Sequence, residues 1–532
     1  MPWKTRKIRH FSALELLFCQ YMVSLFYRYY RYGWEIDTMG ANKIPEEIKQ
    51  YRPGPCTEIK RINGHYYVYM YQSMRLPSGR WGKRTGKSIG TIIPGTGFIP
   101  NRNYHLYKGE ESQDEITVLE YGQYALVEEV AKNVHLALEE YFPADCASQI
   151  FAYASILYAN GFVHLDQVQG YYEQSWLSQE YKRLPFKMGK TALGTLLDSL
   201  GRRTTRVVRY ENAAVHGSSS TIAIDGHAIR SCSDENDLGE AGYKYGCLKE
   251  DQVNLLMGYD IHTGTPLFAR MFRGACNDKS TIEDIADLLE FSGILFVVDR
   301  GFYSAKNLEV LSANENTYII PVPSNTGVFR DTMNGVKYTN SFYYRSGKKH
   351  TRIEYTFHRV SDTEYVYVFR DIDENEKCRF NYQHCIELGR SGYTLEKFEQ
   401  YKETFGVYVL QSNAAISAEE VFGSYKKRWG IETFYQYLKN KGDFNDLMVQ
   451  DYYKEQGLAF IMLITGQIHQ KMISAVRSLD DNTISVHDIL LMARCMKMER
   501  RGNNWNLKNA RKRDLQILKQ LGFEPKIAVP DS

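Results

Sequence analysis

"ILFVVDRG", residues 294–301, is a short apolar run closed by a charged pair. A run too short for a helix and apolar on both alternations reads as a strand buried on two faces, and Asp299-Arg300 marks where it opens to solvent. The flanking chain repeats the theme. Upstream lie "TIAIDG" (221–226), "NLLMGYD" (254–260) and "PLFARMFRG" (266–274), then a helical pattern near Ser280–Phe291. Downstream come a helix near Ala305–Ser312 and the strand "YIIPVP" (318–323).

Three strands able to pair as a meander, then a helix, a strand, a helix and a strand, follow the order of an RNase H-like sheet. The helical signal then vanishes for about eighty residues, where "YTNSFYY", "TRIEYTFHRV" and "EYVYVFRD" read as antiparallel strands. They form a β insertion, closed by "GVYVLQSN" (406–413). Ahead of the α/β segment, from Tyr121 to Arg203, apolar residues recur at three- and four-residue spacing (Leu126, Val130, Val134, Leu138; Ile150, Ala154, Leu157, Tyr158), which predicts a helical domain. Earlier still, "GPCTEIKRINGHYYVYMYQSMRLPSGRWGKRTGKSIG" (54–90) alternates aromatic and polar residues and carries turn signals at Asn63-Gly64 and Pro77-Ser78-Gly79. It predicts a small β-unit.

At 532 residues and 43% hydrophobic content the chain buries large cores and divides into two to four compact units. A net charge of +3 says little by itself, so charge must be read locally. From Glu58 to Ser88, seven Lys/Arg face Glu58 alone; between Arg494 and Lys519, nine Lys/Arg face Glu499 and Asp514. Tyrosines and Trp81 interleave the first cluster, which suits contact with a phosphate backbone plus stacking. Nine cysteines without a CxxC pair point to reduced thiols in a cytoplasm, and Cys378, His384 and Cys385 lack a fourth partner at zinc spacing. The apolar run Phe11–Tyr27 contains Glu15 and falls short of a membrane span, and "YRYYRYGW" stands where a signal cleavage site belongs. A buried or partner-binding helix is the expectation there, with Met39 as an alternative start.

Asp225 and Asp299 each end a hydrophobic strand, which predicts two carboxylates at the carboxyl edge of one sheet, where open α/β sheets hold ligands. A third comes from "YKKRWGIETFYQYLK" (425–439). The helix containing it has its own start signal: Ser417 with Glu420 as a capping box, and Ile416 with Val421 as a staple. On a continuous helix Tyr425, Arg428, Glu432 and Lys439 occupy an arc of about 60°. Phe422 and Trp429 flank it on one side, Ile431, Phe434 and Leu438 on the other. Three carboxylates brought together repel unless a cation lies between them, and hard oxygen ligands suit Mg²⁺ or Mn²⁺. Two such ions serve in-line attack at a phosphodiester, with Arg428 and Lys439 on backbone phosphates and Tyr425 donating to one.

The spacing Tyr425-x2-Arg428-x3-Glu432-x6-Lys439, with "IDG" at Asp225, "DRGF" at Asp299 and the intervening "DIHTGTPLFARMFRGACNDKST" (260–281), resembles bacterial insertion-sequence transposases of the DDE, RNase H-like class that carry the Y-R-E-K signature. The resemblance spans roughly residues 221 to 470. It implies cut-and-paste transposition by two-metal-ion hydrolysis and strand transfer, with Asp225, Asp299 and Glu432 as the catalytic, metal-binding triad. Mg²⁺, with Mn²⁺ able to substitute, is the implied cofactor. Tyr425, Arg428, Lys439 and Arg300 would contact DNA. The implied partners are the element's terminal inverted repeats, target DNA and a second copy of the chain, in a bacterial cytoplasm at the nucleoid. One departure stands out: relatives stack a Trp of the insertion on a flipped base, but none lies between Asp299 and Tyr425, leaving Tyr343, Tyr344 or Phe357 as substitutes.

The expected fold class is therefore an α/β RNase H-like catalytic core with an antiparallel β insertion, preceded by a small basic β-unit and an α-helical domain. The expected segments are 1–50, an N-terminal helical extension; 51–110, a basic β-rich unit able to contact DNA; and 111–215, a helical DNA-binding domain. They continue with 216–324, the first part of the core; 325–405, the insertion; 406–475, the second part with the YREK helix; and 476–532, a basic helical C-terminal region. Competing readings are a catalytically inactive, domesticated DNA-binding protein and an RNase H-like nuclease without strand transfer. His227 reads as a structural hydrogen-bonding residue, and "GTG" (95–97) as a turn.

Overall fold

The structure, a computed structural model, describes residues 44–530 apart from 76–79, 102, 105–115, 203, 204, 232, 234, 243–249, 277, 348, 441–446, 448, 482, 502 and 503. The apolar run Phe11–Tyr27, Met39 and the turn at Pro77-Ser78-Gly79 lie outside the described residues. The chain divides into two compact units, Met1–Glu115 and Ile116–Ser532.

In the first unit a single helical turn, α1 (Glu46–Lys49), precedes strands β1 (Thr57–Ile62), β2 (His65–Arg75), β3 (Trp81–Ile93) and β4 (Gly97–Pro100), which pair antiparallel in chain order. Asn63 and Gly64 both take positive φ, 52° and 81°, the two left-handed residues that a tight hairpin with the right twist requires. That turn sets the alternation. Tyr66 and Val68 enter a small core with Ile48, Ile89 and Ile92, and Tyr67, Tyr69 and Tyr71 take the opposite face.

The second unit opens with β5 (Thr117–Glu120) and continues through α2 (Gly122–Val130), α3 (Lys132–Tyr141), α4 (Ala144–Asn160), α5 (Val168–Gln174), α6 (Leu177–Glu180), α7 (Lys190–Gly201) and α8 (Thr205–His216). Helices thus occupy the stretch where the spacing indicates them, sharing one core with residues as far on as Phe523. A large sheet follows: β6 (Thr221–Ser231), β7 (Glu240–Ala241), β8 (Asp251–Asp260) and β9 (Pro266–Arg273), then helix α9 (Asp278–Ala286), β10 (Leu295–Val298), α10 (Ala305–Leu311) and β11 (Thr317–Pro321). Next come α11 (Gly327–Met333), β12 (Asn340–Ser346), β13 (Lys349–Arg359), β14 (Tyr365–Asp371), α12 (Ile372–Glu387), α13 (Leu395–Tyr401) and β15 (Val407–Ser412). Among the described residues the strand order is β12-β13-β14-β15-β11-β10-β6-β8, with β7 and β9 both pairing with β8. β10 runs parallel to β6 and β11, and the other pairs are antiparallel.

The inserted strands extend the main sheet, because β15 pairs with β14 on one side and β11 on the other. The segment is also not free of helix: α12 was hidden because it buries no residue and so carries no apolar stripe for a periodicity reading to find.

Alternate residues of each strand feed opposite cores. Phe296 and Val298 join Ile222, Ile224 and Ile320 under α9 and α10, while Val297 joins Ala223, Ile319 and Leu410 under α14 (Ala418–Lys427). Beyond it lie α15 (Trp429–Asn440), α16 (Tyr452–Arg477), α17 (Val486–Arg494), β16 (Lys497–Arg501), β17 (Asn504–Lys508), α18 (Lys512–Gln520) and β18 (Ala528–Pro530). The C-terminal region is therefore mixed where helix was expected. β18-β17-β16 joins β5 in a second sheet of this unit, with Met498 and Trp505 buried and the half-buried Arg500 guanidinium 5.6 Å from the Trp505 ring centre. Among the described residues no helix is long and apolar enough to cross a membrane.

α16 is the hub of the helical layer. It is 26 residues long and buried on nearly every side. It crosses α7 so closely that a Cβ on Gly457 would run into the Leu197 carbonyl, and one on Gly201 into that of Tyr453. Glu211 of α8 and Arg270 of β9 form a bidentate pair, both side chains almost wholly buried. Removing one partner leaves an uncompensated buried charge, so Arg270→Ala is expected to cost about 3–5 kcal/mol, whereas Glu211→Leu/Arg270→Met together should cost much less. Urea unfolding of both variants checks this. A single-variant loss no larger than the double's would show that the pair is not what matters.

Glu455, fully buried in the first turn of α16, has its carboxyl pushed up from 4.5 to about 8 by burial, opposed by Asn236 and reinforced by Asp237 and Asp451. The folded state thus keeps a proton that the unfolded chain releases near pH 4.5. Stability should fall as pH rises from about 4.5 to about 8, by a few kcal/mol, and level off above. Glu455→Gln should flatten this dependence in melting curves; an unchanged slope would assign it to other groups.

Candidate active site

The geometry starts from one register. β6 and β10 run parallel with Ile224 opposite Val298, so the next residues, Asp225 and Asp299, come side by side. Asp299 follows the last residue of β10, as the sequence indicates. Asp225 does not end its strand: β6 continues to Ser231, paired only with β8 along that stretch. β10 stops at Val298, so among the described residues no strand pairs with this side of β6 from Asp225 onward; the Tyr435 hydroxyl meets the Asp225 carbonyl and the Leu447 N–H the Arg230 carbonyl (2.8 and 3.1 Å), and the cleft is the space at this step in the sheet.

The capping box forms as read, with Ser417 and Glu420 bonded reciprocally, and Val421 and Phe422 are fully buried. The helix is not continuous, however. It breaks at Arg428 between α14 and α15, where the Arg428 N–H reaches both the Ser424 and Tyr425 carbonyls (3.2 and 3.3 Å) and the turn tightens. The apolar flank also differs from expectation: Ile431, Phe434 and Leu438 are buried, but Trp429 is 61% exposed.

Arg428 is buried and points into the cleft, where it meets all three carboxylates. Its Nη2 donates to Glu432 Oε1 at 2.7 Å and lies 3.9 Å from Asp299 Oδ1, while Nη1 is 3.5 Å from Asp225 Oδ2. The Arg428 Nε is buried without a hydrogen-bond partner among the described residues. Asp225 is pushed up to about 7, first by burial, then by Asp299 and Glu432; Arg428 and the Gly226 N–H (2.9 Å to Oδ1) act the other way. One guanidinium against three carboxylates leaves the cleft short of positive charge.

The remaining predicted residues are dispersed. Tyr425 is half-buried, with the Arg428 guanidinium 5.7 Å from its ring centre, and burial raises its hydroxyl above the usual range. Lys439 is in the last turn of α15, about two turns or ~10 Å beyond Glu432 along the axis. Arg300 is exposed, opening the short turn after Asp299. Tyr343 and Phe357 are exposed on the inserted strands, 74% and 50%, whereas Tyr344 packs against Phe422.

Sequence reasoning passed over Tyr435, whose hydroxyl donates to the Asp225 carbonyl at 2.8 Å and whose ring stacks on His227 at 4.8 Å. Its signal was present: three residues after Glu432 is the same helix face. Lys426 was also missed. It bonds the Tyr408 hydroxyl at 2.8 Å between two aromatic rings, and burial lowers its ammonium pKa.

The donor set suits a hard divalent cation: carboxylate oxygens only, with excess negative charge. Among the described residues no group of three His, Cys, Asp or Glu is placed to hold a metal ion as it stands, and the Arg428 guanidinium lies among the acids.

Residues 216–465 match the family described as the transposase DDE domain, a stretch containing Asp225, Asp299, Arg428 and Glu432. No curated protein matches the chain. Among solved structures the chain is similar to a cryo-EM structure of the piggyBac transposase synaptic complex with hairpin DNA, at 11% identity and a TM-score of 0.35, covering 70% of this chain and 77% of that one.

Proposed function

We propose that the protein is a DNA transposase of a bacterial insertion sequence. It would cut phosphodiesters at the element's ends and join the freed 3′-hydroxyls to target DNA. The observation that carries this reading is the convergence of three carboxylates on one buried guanidinium, within the stretch that matches a transposase DDE domain. The strand order β9-β8-β6-β10-β11, with only β10 parallel to both its neighbours, supports an RNase H-like core.

Asp225, Asp299 and Glu432 would hold two Mg²⁺ ions, with Mn²⁺ able to replace them. Bound there, such ions supply an activated water or 3′-hydroxyl and neutralise the leaving oxygen. The protein's own part is placement. The parallel register sets the two aspartates abreast, the Tyr435 hydroxyl holds the Asp225 carbonyl, and Glu432, one helical turn past Arg428, shares its guanidinium with them. Arg428, released from the acids by the incoming cations, would bind a DNA phosphate bidentately, and Tyr425, Lys439 and Arg300 would line the strand's path. Assembly as a homodimer on paired inverted repeats, and action on DNA in the cytoplasm at the nucleoid, belong to the same reading.

The test is strand cleavage by the full chain of a plasmid carrying the gene's native flanks, with Mg²⁺ or Mn²⁺, comparing wild type with Glu432→Gln. Metal-dependent cuts at the ends with joined products, absent in the variant, are expected. Cuts without joined products would reduce the protein to a nuclease. End binding without cuts would make it a DNA-binding protein only, and equal cleavage by the variant would remove Glu432 from the site.

A further inference from the structure

The β2–β3 hairpin outgrows its sheet. β1 stops supporting β2 at Met70, apart from the Tyr71 N–H bonded to the Cys56 carbonyl at 2.9 Å, and β4 supports β3 only from Gly90 to Ile93. Beyond those points β2 and β3 continue as a two-stranded ribbon, paired from Tyr71 with Thr85 to Arg75 with Trp81. The small core of the unit ends at Met70 and Ile89, and Gln72 to Arg75, Trp81 and Lys83 to Lys87 are all exposed. Irregularities in the pairing between Val68 and Tyr71 twist the ribbon relative to the sheet that bears it.

A ribbon with both faces in water contributes little to its own stability, so its chemistry calls for another account. From Gln72 to Lys87 the chain carries Arg75, Arg80, Lys83, Arg84 and Lys87 and no acidic residue. Charges that merely protect a strand edge from aggregation can be of either sign. Five of one sign mark a surface for an anion. The two faces also differ. One presents Arg75, Trp81 and Lys83, with Lys83 4.3 Å from the Tyr71 ring centre. The other presents Gln72 opposite Arg84, with the exposed Met74 opposite Gly82 beside them.

We infer that this ribbon enters the major groove of duplex DNA, and so names the first unit's partner; the inference rests on the transposase reading only for the identity of that DNA as the element's ends. Two strands ~5 Å apart, with their side chains, fill a groove about 12 Å wide. Lys83, Lys87 and Arg75 contact phosphates on either wall. Gln72 and Arg84 are the two side chains placed to read base edges, an amide suited to adenine beside a guanidinium suited to guanine.

Fluorescence anisotropy of the full chain tests this with three probes: a duplex copied from the gene's flanks, a random duplex of the same length, and a single strand of each. Lys83→Ala/Arg84→Ala/Lys87→Ala is expected to weaken binding to both duplexes by roughly 10- to 100-fold and to reduce the slope of log affinity against log salt by about 2–3, near one unit per cation, with melting unchanged. Gln72→Ala should leave the random duplex alone and reduce preference for the flanks by about 10-fold. Unchanged affinity and slope in the triple variant, or tighter binding to the single strands than to the duplexes, would overturn the inference. The catalytic reading stands or falls separately on metal-dependent cleavage by wild type against Glu432→Gln. Lost duplex binding in the triple variant with no cleavage by wild type would keep the ribbon and discard the catalysis; the converse would do the reverse.

Discussion

Glu432→Gln is expected to lower metal-dependent strand cleavage by at least about 10³-fold, because a catalytic metal supplies several kcal/mol of transition-state stabilisation and each 1.4 kcal/mol is tenfold. The melting temperature should hold or rise. The amide side chain keeps an oxygen for the Arg428 Nη2 that now donates to Glu432 at 2.7 Å, and the substitution removes one negative charge from a cleft holding three carboxylates and one guanidinium. Activity and stability should therefore move apart, as they do when a group is retained for chemistry rather than for the fold. Cleavage assays beside differential scanning calorimetry measure both. A variant that loses activity and melting temperature together would make Glu432 structural; one that keeps its activity would displace it from the triad.

Arg428→Met is expected to show the opposite pattern in metal-free protein. Among the described residues the guanidinium is the one cation within 4 Å of Asp225, Asp299 and Glu432, and the side chain is only 8% exposed. Without it Asp225 is left buried beside two like charges, at a cost of about 3–5 kcal/mol. The loss should shrink as pH falls toward 7, because Asp225, pushed up to about 7 even with Arg428 lowering it, takes a proton more readily once the guanidinium is gone. It should also be recovered by divalent ions: Mg²⁺ at 100 times its Kd adds about 2.7 kcal/mol through mass action. The variant should gain more from Mg²⁺ than wild type, whose guanidinium must first be displaced. Equal gains, read as melting temperature against Mg²⁺ concentration, would mean that guanidinium and ion do not share the space between the acids.

Much of this molecule was legible in its residues, for local reasons. Asn63-Gly64 forces a left-handed turn and with it the register of the first hairpin. Ser417 and Glu420 satisfy each other's backbone across three residues, so α14 begins where they say it does. The apolar run 295–298 is a buried strand because nothing in it tolerates water, and the acids that follow mark where burial ends. What resisted reading lacks a periodic or local signature. α12 buries nothing and so shows no stripe. The joining of Thr117–Glu120 to Lys497–Arg501 depends on a partner nearly 400 residues away.

The sequence by itself determined which carboxylates exist, which elements carry them, and that Arg428 lies one helical turn from Glu432. Only the tertiary structure decided that Asp225 and Asp299 stand abreast, since that follows from a parallel pairing of strands seventy residues apart, which no local propensity encodes. It also decided the present partner of Arg428. A charge pattern shows that a guanidinium and an acid share a helix face, but only packing that buries the guanidinium and leaves three acids around it turns an ordinary surface pair into the counter-ion of a site.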